Sequence, residues 1–237
     1  MQSEDYISRP SEFSTLLRGD PAATVAWVRQ SDPRRLARHL VIIVLGAGCY
    51  GAAMGWWRDP QQALFVAIKF PLIILLTTFG NAFLNAMLAP LLGLNIPFRQ
   101  SFSATVMGLT IAAAILGAFS PLMAFMVWNA PPLSAQAFDP AYDFIKLAHV
   151  VVIAFAGVTG NVRLFQLLAQ LGGSRVVARR VLFAWLAGNL FLGTQLSWIL
   201  RPFIGSPDLP VEFVRQTALH GNFYENIFQT VLQIFHL

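Results

Sequence analysis

Charge is what this sequence has least of. Only 11% of its 237 residues are Asp, Glu, Lys or Arg, where a soluble domain carries about 25%. Hydrophobic residues make up 56%, and the mean hydropathy is +0.61. That balance excludes an ordinary soluble core and points to one membrane domain. Cysteine is all but missing. A lone Cys49 excludes an internal disulfide and any zinc or iron–sulfur framework built on several thiolates; inside an apolar run it reads as a small buried residue. Asp and Glu are missing from the apolar runs altogether. Their absence removes paired-carboxylate chemistry, the carboxylate relays of proton pumps and the Mg-binding aspartates of lipid-phosphate transferases. There is no H-E-x-x-H, no phosphate-cradling loop, and no G-x-S-x-G within the apolar runs. His39, His149, His220 and His236 fall at opposite ends of runs or off helical ligand spacing. No metal, haem or other cofactor is expected, and no catalytic residue. The start of the chain is polar and mixed in charge, so the first apolar run is expected to act as its own insertion signal.

What is present is five long apolar runs, near 38–57, 62–90, 101–128, 144–171 and 181–200. About 20 apolar residues cross a bilayer as a helix, so the expected fold is all-α: a polytopic membrane bundle of five transmembrane helices. Three parts follow: a polar arm over 1–37, a membrane domain over 38–203 and an amphipathic tail over 204–237. Asp32 or Ser31 before Pro33 reads as a helix N-cap. The arm's short apolar clusters, Phe13, Leu16 and Leu17 and then Val25, Trp27 and Val28, suit a partner-binding arm or helices lying on the headgroups. Ala47, Gly51 and Gly55 recur every four residues along the first run, a small-residue face for close helix packing. A homo-oligomer or a membrane-protein partner is expected there. Lys69, near one end of the second run, is expected to snorkel outward, and Pro71 to kink the helix.

The formal net charge is +5, but the arginines flank the apolar runs, which is a topology signal and not a nucleic-acid footprint. Arg34, Arg35, Arg38, Arg99, Arg175 and Arg179 lie on one side; Arg58, Arg201 and Arg215 lie on the other. The expected location is a bacterial inner membrane with the N-terminus cytoplasmic. The tail from 211 carries Phe223, Ile227, Val231 and Ile234 between Glu225, Gln229 and Gln233, and is expected to be an amphipathic helix on the outer face.

The deep polar residues are amides and hydroxyls: Thr77, Asn81, Asn85, Thr159, Asn161, Asn189, Thr194 and Gln195. Unsatisfied in hydrocarbon, each would cost several kcal/mol, so they are expected to face the bundle interior. They suit either a cavity for a solute or lipid headgroup, or interhelical hydrogen bonds. Arg163, flanking the fourth run, is expected to snorkel or to hold a lipid phosphate. The stretches "GNAFLNAMLAPLLG" and "GNLFLGTQLSWILRPFIG" share G-N-x-F-L, as half of an inverted repeat would. "TGNVRLFQLLAQLGG" matches about as well and runs the other way.

The polar arm, the five runs and the segment "NIPFRQSFSATVMGLTIAAAILGAFSPL", closing on Ser120 and Pro121, resemble the Yip-domain family of small multi-pass membrane proteins over roughly residues 10–200. The resemblance implies a non-enzymatic protein that works through protein or lipid partners. The acidic arm motif of the family's eukaryotic members has no match here. The expected function is a scaffold or subunit of a membrane complex, with membrane lipids as partners. The alternative is a small channel or transporter with an Asn/Thr/Gln-lined cavity.

Overall fold

The computed structural model describes residues 21–30, 32–133, 140–172, 174–205, 209–225, 228 and 232. Among the described residues, six helices with assigned bounds follow one another: α1 (Pro21–Gln30), α2 (Pro33–Trp56), α3 (Pro60–Leu91), α4 (Phe98–Trp128), α5 (Pro140–Leu171) and α6 (Arg175–Ile199). No strand occurs among the described residues. The last five helices are each long and apolar enough to cross a membrane, and they match the five apolar runs closely. The protein is an all-α, membrane-embedded helical bundle.

Local chemistry sets the helix ends. Asp32 Oδ1 accepts from Arg34 N at 2.9 Å and Asp59 Oδ1 accepts from Gln61 N at 2.7 Å. Pro33 and Pro60 follow as the first helical residues, where a missing N–H costs nothing. Gly93, at φ 92°, closes α3 with Leu94 N donating to Ala89 O at 2.8 Å, a left-handed turn that suits glycine. The helix runs on through Pro71, which is buried within it.

Short connections make successive helices antiparallel. One end of the bundle carries α1 and the starts of α2, α4 and α6 (the arm end). The other carries the turn between α2 and α3 and the described residues that follow α6 (the tail end). The five long helices form a ring in the order α2, α3, α6, α5, α4, in which α3 and α5 scarcely touch. In the arm half, Trp185 is fully buried in a core with Ala89, Met107, Leu164 and Leu168. The tail half packs around Tyr50, Met54, Val66 and Leu116.

Several expectations change here. Gly51 and Gly55 are buried against α3 of the same chain: a Cβ at Gly51 would sit 2.5 Å from Val66 O, and one at Gly55 2.6 Å from Gln62 O. Ala47 is buried as well. The small-residue face is thus consumed inside the molecule, because a three-residue connection folds α3 back along it. Cys49 is exposed instead of buried, since its position on α2 faces away from both α3 and α4. In the arm, Val28 is fully buried in the core at the arm end, so α1 caps the bundle. Phe13, Leu16 and Leu17 lie outside the described residues. The tail is not one helix from 211. Residues 215–220 form tight turns, and helical residues begin at Phe223, where Asn222 Oδ1 accepts from Glu225 N at 2.9 Å. Gly221, at φ 67°, interrupts the helical pattern.

Candidate functional site

Because α3 and α5 stand apart at the tail end, a cavity of about 720 Å³ lies between them. Phe70, Ile73 and Ile74 of α3 form one wall and Val150, Ile153 and Ala156 of α5 the other. Leu109, Ala112 and Leu116 of α4 close the back. Val150 is 55% exposed and Ile153 37% exposed, so the rim on that flank faces the apolar surroundings of the bundle. The volume is within the roughly 300–1,000 Å³ of small-molecule sites.

Polar groups collect at one end only. Lys146, nearly two turns inside α5, and Arg215, from the segment after α6, line the mouth together with Tyr142 and Ser197. Lys146 makes no hydrogen bond or ion pair among the described residues. Arg201 sits beside this group, its guanidinium 3.7 Å from the centre of the Trp198 ring and Nη1 donating to Trp198 O at 2.6 Å. Burial first, and the charge of Arg215 second, push the Arg201 pKa below its ordinary value. The two guanidiniums are close enough to repel, and an anion between them would relieve that repulsion.

A strap made of residues 202–205 roofs the cavity. Two side chains of α3, seven residues apart and therefore on one face, hold it. Gln62 Nε2 donates to Pro202 O and Phe203 O, both at 2.9 Å. Lys69 Nζ donates to Pro202 O at 3.1 Å and Glu212 O at 3.4 Å. The ammonium lies 5.2 Å from the Phe213 ring and 5.9 Å from the Phe65 ring, in reach of their π faces. Lys69 is fully buried, which corrects the expected snorkelling. The tail folds over the end of α3 and brings carbonyl acceptors to the ammonium, so it need not reach outward. Deeper in the wall, Tyr50 OH and His149 Nδ1 meet at 2.9 Å, joining α2 to α5.

The sequence-derived candidates scatter. Thr77, Asn81 and Asn85 of α3 are buried. Gly193 and Gly188 of α6 approach Thr77 and Asn81, and Asn81 Nδ2 donates to Trp185 O at 3.1 Å. Thr159 donates to Phe155 O at 2.9 Å, inside its own helix. Thr194 bonds to Leu190 O and meets Tyr224 OH at 3.0 Å. Gln195 is half-buried and lines neither this cavity nor the small one beneath it. Arg163 donates to Gln166 Oε1 at 3.2 Å. Only Asn161 and Asn189 come together at a cavity, with Thr105. The large cavity is apolar with a cationic mouth, unlike the Asn/Thr/Gln lining expected of a channel. Arg215 and Tyr142 carry no local signal in the sequence. Lys69 and Gln62 do: two polar residues seven apart in an apolar helix, with Phe65 between them.

Comparison with protein-family models, curated proteins and solved structures returns no match for this chain. Among the described residues, no three His, Cys, Asp or Glu side chains stand close enough to share a metal ion.

Proposed function

We propose that this protein is a non-enzymatic membrane protein that binds a long-chain anionic amphiphile, acting as a lipid-binding subunit or carrier. The carrying observation is the polarity of the cavity: an apolar shaft with Lys146 and Arg215 at its mouth and no carboxylate paired to either among the described residues. The distance along α5 from Lys146 to Gly157 is roughly 16 Å, close to half of the ~30 Å hydrocarbon core. A chain entering past Val150 and Ile153 would fill the shaft while its head meets the two cations. Burial of each methylene contributes about 0.8 kcal/mol, and the charge pairing selects the head. The resemblance to Yip-domain proteins supports the same class, a protein that works through lipid or protein partners. The positive-inside pattern supports a mouth in the outer leaflet of a bacterial inner membrane.

The test compares palmitate with hexadecanol, which lacks the anionic head. Protein purified in mild detergent is titrated with each by calorimetry. Palmitate is expected to bind at least tenfold more tightly, an advantage of about 1.4 kcal/mol, and Lys146→Gln with Arg215→Gln is expected to erase it. Equal binding of acid and alcohol by the wild-type protein would sink the reading.

A further inference from the structure

The shaft does not end on apolar residues. Leu109, Ala112 and Gly157 line both the large cavity and a smaller one of about 40 Å³ beneath it. There the lining turns polar. Thr105 of α4, Asn161 of α5 and Asn189 of α6 converge from three helices. The two spaces adjoin at Gly157, which brings no side chain of its own and where an added Cβ would meet nothing within 4 Å. Asn161 lies about four turns of α5 beyond Lys146, roughly 22 Å along the axis. A cationic mouth, an apolar middle and a polar floor thus follow one another along α5.

The floor holds an unmet acceptor. Asn161 Nδ2 donates to Gly157 O at 2.8 Å, and Thr105 Oγ1 to Ser101 O at 3.0 Å. Each thus spends one N–H or O–H inside its own helix, and the oxygens keep free lone pairs. Asn189 Oδ1 is buried with no partner among the described residues. Hydrocarbon supplies no donor, and a bare acceptor at this depth is costly. The floor lies against the α4–α5 crossing, where a Cβ at Gly160 would lie 2.6 Å from Gly108 O, and both glycines are part of its lining.

We infer that this floor is a second binding subsite, taking a hydroxyl at the far end of the amphiphile's chain. The ligand class narrows accordingly, to a long-chain acid with an ω-hydroxyl group: anion at the mouth, methylenes in the shaft, O–H on the floor amides. The inference rests on the amphiphile-binding function proposed above.

The experiment adds ω-hydroxypalmitate to the palmitate titration, on the full chain in mild detergent. The hydroxyl costs affinity in a plain apolar pocket, where it loses water and gains nothing. On this floor it is expected to raise affinity about tenfold. Asn161→Leu and Asn189→Leu are each expected to bring ω-hydroxypalmitate down to the palmitate level or below while palmitate binding holds. Palmitate bound as well as or better than ω-hydroxypalmitate by the wild-type protein would overturn the floor subsite, reducing it to a water site, and leave the cavity reading standing. Binding of neither acid would overturn both.

Discussion

Asn81 and Gly188 face each other where α3 crosses α6. Asn81 Nδ2 donates to Trp185 O at 3.1 Å, just under one turn before Gly188, and a Cβ on Gly188 would run into Asn81 Oδ1. Two of the G-N dipeptides in the apolar runs, Gly80–Asn81 and Gly188–Asn189, thus belong to one helix crossing. Gly188→Ala is expected to push the Asn81 amide off its carbonyl and to destabilise the protein by about 1–3 kcal/mol, the usual range for overpacking. Thermal unfolding in detergent measures it, and an unchanged midpoint would contradict this crossing.

Asn81 and Asn85 are both fully buried on α3 but differ in their partners. Asn81 has one hydrogen bond, whereas neither Nδ2 nor Oδ1 of Asn85 has a partner among the described residues. Asn85→Leu is therefore expected to cost less stability than Asn81→Leu, by about 1 kcal/mol, because it removes unpaired polar atoms instead of a hydrogen bond between two helices. The two unfolding midpoints, measured side by side, decide the order.

The Gly51 face makes a prediction about folding and not assembly. Gly51→Leu drives a side chain into Val66 O and Phe70 Cβ of the same chain. It is expected to lower the unfolding midpoint sharply, at a cost of about 3 kcal/mol or more. Gly157→Ala, opening into the shaft, is expected to change stability by less than about 1 kcal/mol. If Gly51→Leu left stability intact and only split an oligomer on native gels, the intramolecular packing would be wrong.

Lys69 holds the strap. Lys69→Met keeps the length of the side chain but leaves Glu212 O without its donor and Pro202 O with Gln62 alone. Hydrogen exchange across residues 201–215 is expected to speed up by at least tenfold, a loss of about 1.4 kcal/mol of local protection, with exchange at the arm end unchanged. Gln62→Leu is expected to loosen the same segment through Pro202 and Phe203.

Tyr50→Phe removes the hydroxyl that meets His149 Nδ1. His149 Nε2 is already without a partner, so the whole imidazole would then be unsatisfied in an apolar wall. A loss of about 1–3 kcal/mol is expected. Adding His149→Phe should recover part of it, since both partners are then apolar. A double-mutant cycle of unfolding free energies reads the coupling directly.

Much of the architecture was legible before any coordinates. Five apolar runs bounded by proline, tryptophan and arginine became five helices within a few residues of their expected ends. Asp32 capped α2 through the Asp-Pro signal. These are local properties: hydrophobic length, N-cap chemistry and the missing N–H of proline act within one turn of chain. The site was far less legible. Arg215 is nearly 70 residues from Lys146, and nothing in either neighbourhood announces that they share a cavity mouth. Lys69 looked like a snorkelling end residue because its true acceptors, two backbone carbonyls beyond α6, have no side-chain signature.

The sequence by itself determined that this chain lives in lipid as five helices, because the cost of exposing backbone and charge to hydrocarbon depends on composition and run length alone. Only the tertiary structure decided what each small or polar residue is for. Gly51 and Gly55 seat α3 instead of a second copy, Asn81 grips α6, and Asn161 and Asn189 meet at the floor of a shaft. Such assignments depend on which helix faces which, and the packing of five nearly uniform apolar surfaces is fixed by close approach at a few glycines and amides, not by any periodicity that one helix can display alone.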